Sequence, residues 1–170
     1  MTKHPSFFRT VLATALILIP ATLYSTPRLS PTPQSASDVK VSGSLSPDKT
    51  RKGRTVQGHV TMEIPGGLHV QSNKPLDKFL IATKLDVEAP REMKVGPVSY
   101  PRALMRNLKF SKSKVAVYEG RAPIRFNLTI PANYSGGSTE IRGKLRFQAC
   151  TDEACFPPVT KEVKMWLNVE

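Results

Sequence analysis

The sequence has few of the residue combinations that catalytic or metal sites need. It contains two cysteines, Cys150 and Cys155, and no second Cys or His pair beside them that could complete a tetrahedral zinc site. No Ser/His/Asp set, phosphate-binding loop or pair of carboxylates with catalytic spacing stands out. Hydrolase and kinase chemistry therefore has no support, and metal binding is the weakest explanation for the cysteines.

Acidic residues are also scarce. There are 13 Asp and Glu against 25 Lys and Arg, which gives a net charge of +12. Such a surplus suits nucleic acid, an anionic membrane surface or an acidic protein as partner. The cations are scattered along many segments, which favours a solvated basic exterior over a dedicated polyanion site. The N-terminus also predicts export, which argues against nucleic acid as the partner.

Long hydrophobic runs are missing except near the N-terminus. Lys3 and Arg9 precede an apolar stretch, 11–23, which is short for a membrane span but suits the hydrophobic region of a signal peptide. We predict a signal peptide over residues 1–25. Because no Ala-x-Ala triplet marks a cleavage site, retention of this segment as an uncleaved anchor stays open.

The rest of the chain divides into a linker and one domain. Residues 26–37 are rich in Pro, Ser and Thr and offer nothing to bury, which is typical of an extended linker. About 130 residues follow, enough for a single domain with its own hydrophobic core. We therefore place the folded domain at residues 38–170.

Apolar and polar side chains alternate along this domain with the period of two that is typical of strands. Two long alternating runs, 141–149 and 159–169, predict a hairpin. Further candidate strands lie at 39–45, 56–64, 68–71, 79–87, 115–119 and 124–130, separated by Pro and Gly turn signals. This pattern predicts an all-β antiparallel sandwich. Residues 99–113 alternate poorly and predict a long loop with one helical turn at 103–106.

Both cysteines lie between the last two predicted strands. Continued alternation places the Cys150 side chain on the outward face, at the rim of the sheet. Cys155 follows a short loop containing Asp152 and Glu153, whose charges disfavour a thiolate. A structural disulfide is the usual role of a lone pair in an exported protein, but a loop of about six residues contributes only about 2 kcal/mol. An accessible rim bond is also open to exchange. The residues alone leave a structural bridge and a redox pair equally open.

Three segments carry a family resemblance: FQACTDEACFPP at 147–158, GLHVQSNKPLD at 67–77 and YEG at 118–120. They resemble the N-terminal periplasmic domain of the thiol:disulfide interchange protein DsbD. The resemblance implies an immunoglobulin-like sandwich that relays electrons to thioredoxin-fold proteins of the periplasm. It also implies that Cys155 is the nucleophile that forms the mixed disulfide, that Cys150 resolves it, and that no cofactor takes part.

The sequence departs from this family in two respects. Full-length DsbD continues into membrane and thioredoxin-like domains, whereas this sequence stops at Glu170, so we expect a separate membrane electron donor of DsbD type. The family shields its cysteines with an aromatic cap, and Phe110 is the candidate cap here. Packing of Phe110 on the edge of the sandwich is the alternative.

His69 is a second candidate beside the cysteines. Its place in the GLHVQSNKPLD segment suggests that it could tune the thiolate fraction. A surface or packing histidine is the alternative. For the whole chain we predict periplasmic thiol-disulfide exchange, as a component of protein-disulfide reduction. The competing function is a non-catalytic immunoglobulin-like binding or assembly module with a permanent disulfide.

Overall fold

The computed structural model describes residues 34–170 of the chain. The predicted signal segment and most of the predicted linker lie outside these residues. The described fold begins slightly before Asp38, the predicted start. A short 3-10 helix, Ala36–Asp38, is capped by the Ser35 side chain, and Ala36 is buried in the core. Gln34 Nε2 also donates a hydrogen bond to Gly66 O at 2.6 Å, which ties the segment to a turn of the domain.

The described residues form twelve strands arranged in three four-stranded sheets. The strands are β1 (Lys40–Ser46), β2 (Lys49–Thr50), β3 (Thr55–Ile64), β4 (His69–Gln71), β5 (Lys84–Glu88), β6 (Lys94–Val95), β7 (Leu104–Arg106), β8 (Val115–Tyr118), β9 (Gly120–Thr129), β10 (Gly137–Phe147), β11 (Ala149–Cys150) and β12 (Val159–Val169). Within these residues, no helix is long and apolar enough to cross a membrane.

The first sheet has the order β1-β3-β9-β6, with every pair antiparallel. β3 and β9 have the predicted alternation, because their even positions from Val56 to Ile64 and from Ala122 to Leu128 are buried and none of their odd positions is. Gly58 in β3 lies directly opposite Phe126 in β9. The phenyl ring occupies the space above the glycine, which fixes this position of the core.

The second sheet has the order β2-β12-β10-β5. Its centre is the predicted hairpin, in which β10 and β12 pair from Gly137↔Val169 to Phe147↔Val159. The first and second sheets pack against each other, and their inward side chains form one hydrophobic core. The prediction of an all-β antiparallel sandwich is confirmed. One pair, β2 with β12, is parallel.

Two strands depart from the sequence predictions, one in the third sheet, β11-β4-β8-β7, and one, β5, in the second sheet. Residues 103–106 are not a helical turn, because Leu104–Arg106 form strand β7 on the edge of the third sheet. All three side chains are exposed, so β7 has no alternation that the sequence could reveal. The strand predicted at 79–87 begins only at Lys84. The preceding residues form a loop in which Ile81 N donates to Gln148 Oε1 at 3.0 Å.

Candidate functional site

Cys150 and Cys155 form a disulfide at one end of the sandwich, within the connection between β10 and β12. Their Cα atoms are 3.9 Å apart. The backbone N–H of Thr151 donates to Ala154 O at 2.8 Å, and that of Phe156 donates to Ala149 O at 2.9 Å. The two cysteines therefore face each other across a small hairpin, which we call the cysteine loop (residues 150–155).

The structure corrects the predicted orientation of Cys150. We expected its side chain at an exposed rim, but Cys150 is 0% exposed. The reason is that the chain changes sheets: β10 ends at Phe147, and β11 pairs with β4 of the third sheet. The alternation of β10 does not continue through this change, and Ala149 and Cys150 are both buried. Cys155, in contrast, is partly exposed, so it is the more accessible member of the pair.

His69 lies next to the disulfide, because it is paired with Cys150 in the β4–β11 ladder. Its Nδ1 is 2.7 Å from Glu119 Oε1 and its Nε2 is 2.8 Å from Asp152 Oδ1. A doubly protonated imidazole donates to both carboxylates, whereas a neutral ring has one donor. His69 thus joins the cysteine loop to the end of β8. Its side chain does not occupy a free surface, since both ring nitrogens are engaged.

Glu119 is the anchor of this cluster. Its carboxylate accepts two hydrogen bonds from the Arg106 guanidinium, each 2.7 Å long, in addition to the contact with His69. The hydrogen bonds from Arg106 hold the pKa of Glu119 below its ordinary value, and the bond from His69 acts in the same direction. Partial burial opposes this shift without cancelling it.

A second segment, residues 108–111, covers the other side of the cysteine loop. Lys109 N donates to Asp152 O at 2.8 Å, and Lys109 Nζ donates to the Glu153 carboxylate. This bond raises the pKa of the Lys109 ammonium above its ordinary value. The two acidic residues that we expected to disfavour a thiolate are therefore each paired with a basic side chain, Asp152 with His69 and Glu153 with Lys109.

Phe110 follows Lys109 in this segment. Its ring is half-buried and packs with Leu80 against a small hydrophobic cluster formed by Leu108, Val115 and Val117. The segment containing the candidate cap thus lies on the cysteine loop, while the ring itself belongs to the cluster beneath. The capping role of Phe110 stays a prediction.

Sequence reasoning missed Gln71. This β4 residue is 0% exposed, and its Nε2 donates to Cys150 Sγ at 3.3 Å. The residue lies within the segment that carried the family resemblance, but nothing in the sequence indicated that β4 would pair with β11 and bring Gln71 to the sulfur. Within residues 34–170 there is no group of three or more His, Cys, Asp or Glu side chains that could hold a metal ion.

The sequence comparison decides the family. A family model described as thiol:disulfide interchange protein DsbD, N-terminal, matches residues 42–166. The chain belongs to this family. As a DsbD N-terminal domain it is a thiol-disulfide interchange domain with a cysteine pair, and its immunoglobulin-like β-sandwich is the fold that the resemblance implied.

Two solved structures illustrate the likeness. The alignment with the DsbD N-terminal domain of Neisseria meningitidis in the reduced form has 19% identity and a TM-score of 0.44, and it covers 65% of this chain and 77% of that one. The alignment with the N-terminal periplasmic domain of ScsB from Proteus mirabilis has 11% identity and a TM-score of 0.46. It covers 69% of this chain and 43% of the ScsB chain, so the present sequence spans less than half of that structure. No curated protein matches the chain.

Proposed function

We propose that this domain relays reducing equivalents to thioredoxin-fold proteins of the periplasm through Cys155 and Cys150. The strongest support is that the two cysteines of the disulfide differ in their exposure to solvent. Cys150 is buried, whereas Cys155 is partly exposed at the end of the sandwich. Thiol-disulfide exchange needs access to one sulfur of the pair, and this arrangement offers Cys155.

The reaction follows the general course of thiol exchange. In the reducing direction, the Cys155 thiolate attacks the disulfide of a partner, and one partner sulfur leaves as a thiolate. Cys150 then attacks Cys155 Sγ in the mixed disulfide, and the second partner sulfur leaves. Two electrons pass from the dithiol of the domain to the partner, which takes up two protons. A separate membrane protein of DsbD type restores the Cys150 and Cys155 thiols.

The N-terminal organisation belongs to this proposal. A signal peptide or uncleaved anchor over residues 1–25 and a linker over 26–37 deliver the domain, residues 38–170, to the periplasm. Export places the cysteine pair in an oxidising compartment, where disulfides form and persist.

His69 and Phe110 have supporting roles in the proposal. His69 tunes the thiolate fraction at the cysteine pair, and its contact with Asp152 supports this role because the histidine holds one side of the cysteine loop. Phe110 acts as the cap, a role supported by the attachment of the neighbouring Lys109 to Asp152 and Glu153.

One observation favours a second candidate, the binding or assembly module with a permanent disulfide. Cys150 is buried completely, and the cysteine loop is tied to two other segments of the domain. Burial and attachment to neighbouring segments are also what a permanent structural disulfide would show. The two functions differ in what single cysteine variants do.

The test compares Cys150→Ser with Cys155→Ser in mixtures with a disulfide-containing thioredoxin-fold protein. If the domain is a relay, Cys150→Ser accumulates a mixed disulfide through Cys155, because the resolving thiol is gone. Cys155→Ser accumulates little of this adduct. Non-reducing gels and mass spectrometry measure the adducts. A reduction potential below about −300 mV together with no adduct from Cys150→Ser contradicts the relay and supports the structural bridge.

A further inference from the structure

Gln71 is an unusual residue for the place it occupies. Its side chain is 0% exposed, and its Nε2 donates to Cys150 Sγ at 3.3 Å. Its Oε1 is a buried side-chain acceptor without a hydrogen-bond partner anywhere in the described part of the chain. Leaving a buried acceptor unpaired destabilises the fold, and a disulfide sulfur is only a weak acceptor for the other end of the amide. The amide therefore contributes little to the stability of the oxidised fold.

The backbone of Gln71 is held independently of the amide. Its N–H donates to Gln148 O at 2.9 Å, and its carbonyl accepts from Thr83 Oγ1 at 2.5 Å. An apolar side chain of similar length would fill the same space without an unpaired acceptor. The oxidised fold does not need this buried amide. A different state of the disulfide is therefore needed to explain it.

Opening the disulfide creates that state. When an attacking thiolate bonds to Cys155 Sγ, the bond to Cys150 breaks and its electron pair passes to Cys150 Sγ. The resulting thiolate lies in a buried position, where an unpaired charge is costly. The nearby His69 has both ring nitrogens engaged by Glu119 and Asp152. Gln71 Nε2 is already directed at the sulfur, and a hydrogen bond to an ionised acceptor is roughly twice as strong as a neutral one.

We propose that Gln71 stabilises the Cys150 thiolate that forms when the disulfide opens, an inference that rests on the proposed function. In the opposite direction, when Cys150 attacks the mixed disulfide, the same bond raises the fraction of Cys150 present as thiolate. Once the sulfur is protonated, it becomes a donor, and rotation of the amide about its terminal torsion presents Oε1 to it. One side chain thus serves both protonation states of Cys150.

The first test titrates Cys150 in the Cys155→Ser protein, with no partner present. Thiolate absorbance is followed against pH in this protein and in versions that also carry Gln71→Met or Gln71→Leu. Both substitutions remove the hydrogen-bond donor. We expect the ratio of thiolate to thiol at a given pH to fall about tenfold in both variants. Gln148→Met is the matched control, because the Gln148 amide binds Ile81 N and Phe156 O but not the sulfur. It should leave the ratio unchanged.

The second test uses the intact cysteine pair. Gln71→Met should slow the reduction of the disulfide by dithiothreitol about tenfold, while the thermal stability of the oxidised protein stays equal or rises. Identical titrations with and without the Gln71 amide overturn the proposal. So does a slower reduction that is accompanied by a loss of stability and an unchanged titration, since that combination indicates a structural role.

The two proposals fail in different ways. A domain that dithiothreitol reduces but that never forms a mixed disulfide with a thioredoxin-fold protein contradicts the relay. The Cys150 titration needs no partner, and its result still decides the role of Gln71. Normal mixed-disulfide formation with an unchanged titration leaves the relay intact and removes Gln71 from it.

Discussion

His69 Nε2 and Asp152 Oδ1, which are 2.8 Å apart, join β4 to the cysteine loop directly beside the disulfide. His69 is also the partner of Cys150 in the strand ladder, so one residue contacts the loop through its backbone pairing and its side chain. This contact restrains the residues that separate the two cysteines. We expect the restraint to influence how readily the disulfide opens.

Asp152→Ala should accelerate reduction of the disulfide by dithiothreitol about two- to fivefold. The substitution removes one hydrogen bond, and since the Asp152 side chain is 63% exposed, its contribution lies at the low end of the usual range. The rate is measured by quenched alkylation and mass spectrometry. Asp152→Asn separates charge from contact, because the amide oxygen still accepts from His69. A rate for Asp152→Asn equal to that of Asp152→Ala would show that charge is responsible and would contradict the restraint.

Glu119→Gln should lower the free energy of unfolding by about 1 kcal/mol at neutral pH, with the difference disappearing in acid. The pKa of Glu119 is lowered in the folded state, chiefly by Arg106, from an ordinary value of 4.5. The stabilisation is therefore complete above about pH 4.5 and is lost as the pH falls through the lower folded-state pKa. Urea unfolding of both proteins across this range measures the difference.

Glu63→Gln is the control for this prediction. Glu63 is exposed and takes part in none of the ion pairs found among residues 34–170. Its substitution should leave the pH dependence close to that of the unmodified protein. A constant difference between Glu119→Gln and the unmodified protein down to pH about 3 would contradict the linkage argument.

The sequence predicted the parts of the fold that depend on which side chains are buried. The β10–β12 hairpin follows from alternation, because each strand has one face in the core and the other in solvent. Strand β7 could not be found in this way. Its three side chains are exposed, and what makes it a strand is backbone pairing with β8.

Cys150, Cys155 and His69, which the sequence singled out, lie together in the structure, but the orientation of Cys150 was predicted wrongly. The family resemblance identified the cysteine pair and the segment containing His69 and Gln71. Local alternation placed Cys150 outward, because it assumed that the strand stays in one sheet past Phe147. The change of sheet at Gln148 is a long-range event, set by the pairing of β11 with β4, and no local pattern encodes it. The same event brings Gln71 to the sulfur.

Gly58→Ala should destabilise the domain by about 1–3 kcal/mol through overpacking. A Cβ atom at this position would lie 2.1 Å from Cζ of the Phe126 ring, which is buried and cannot move away cheaply. Gly66→Ala is the matched control, since a Cβ atom there would meet nothing within 4 Å. Thermal or urea unfolding of both variants measures the effect. Equal stability of the two variants would mean that Phe126 relaxes, and would contradict the close packing of its ring on Gly58.

Reduction of the disulfide should lower the free energy of unfolding by about 2 kcal/mol and leave the domain folded, because the bond closes a loop of only about six residues. The hydrophobic core is formed by strands of both facing sheets and does not include the cysteine pair. A relay needs this property, since the domain must bind partners in both redox states. Urea unfolding of the oxidised and reduced proteins gives the difference, with similar slopes expected because the same surface is buried. Loss of the folded state on reduction alone would contradict the prediction and would make the bridge a structural one.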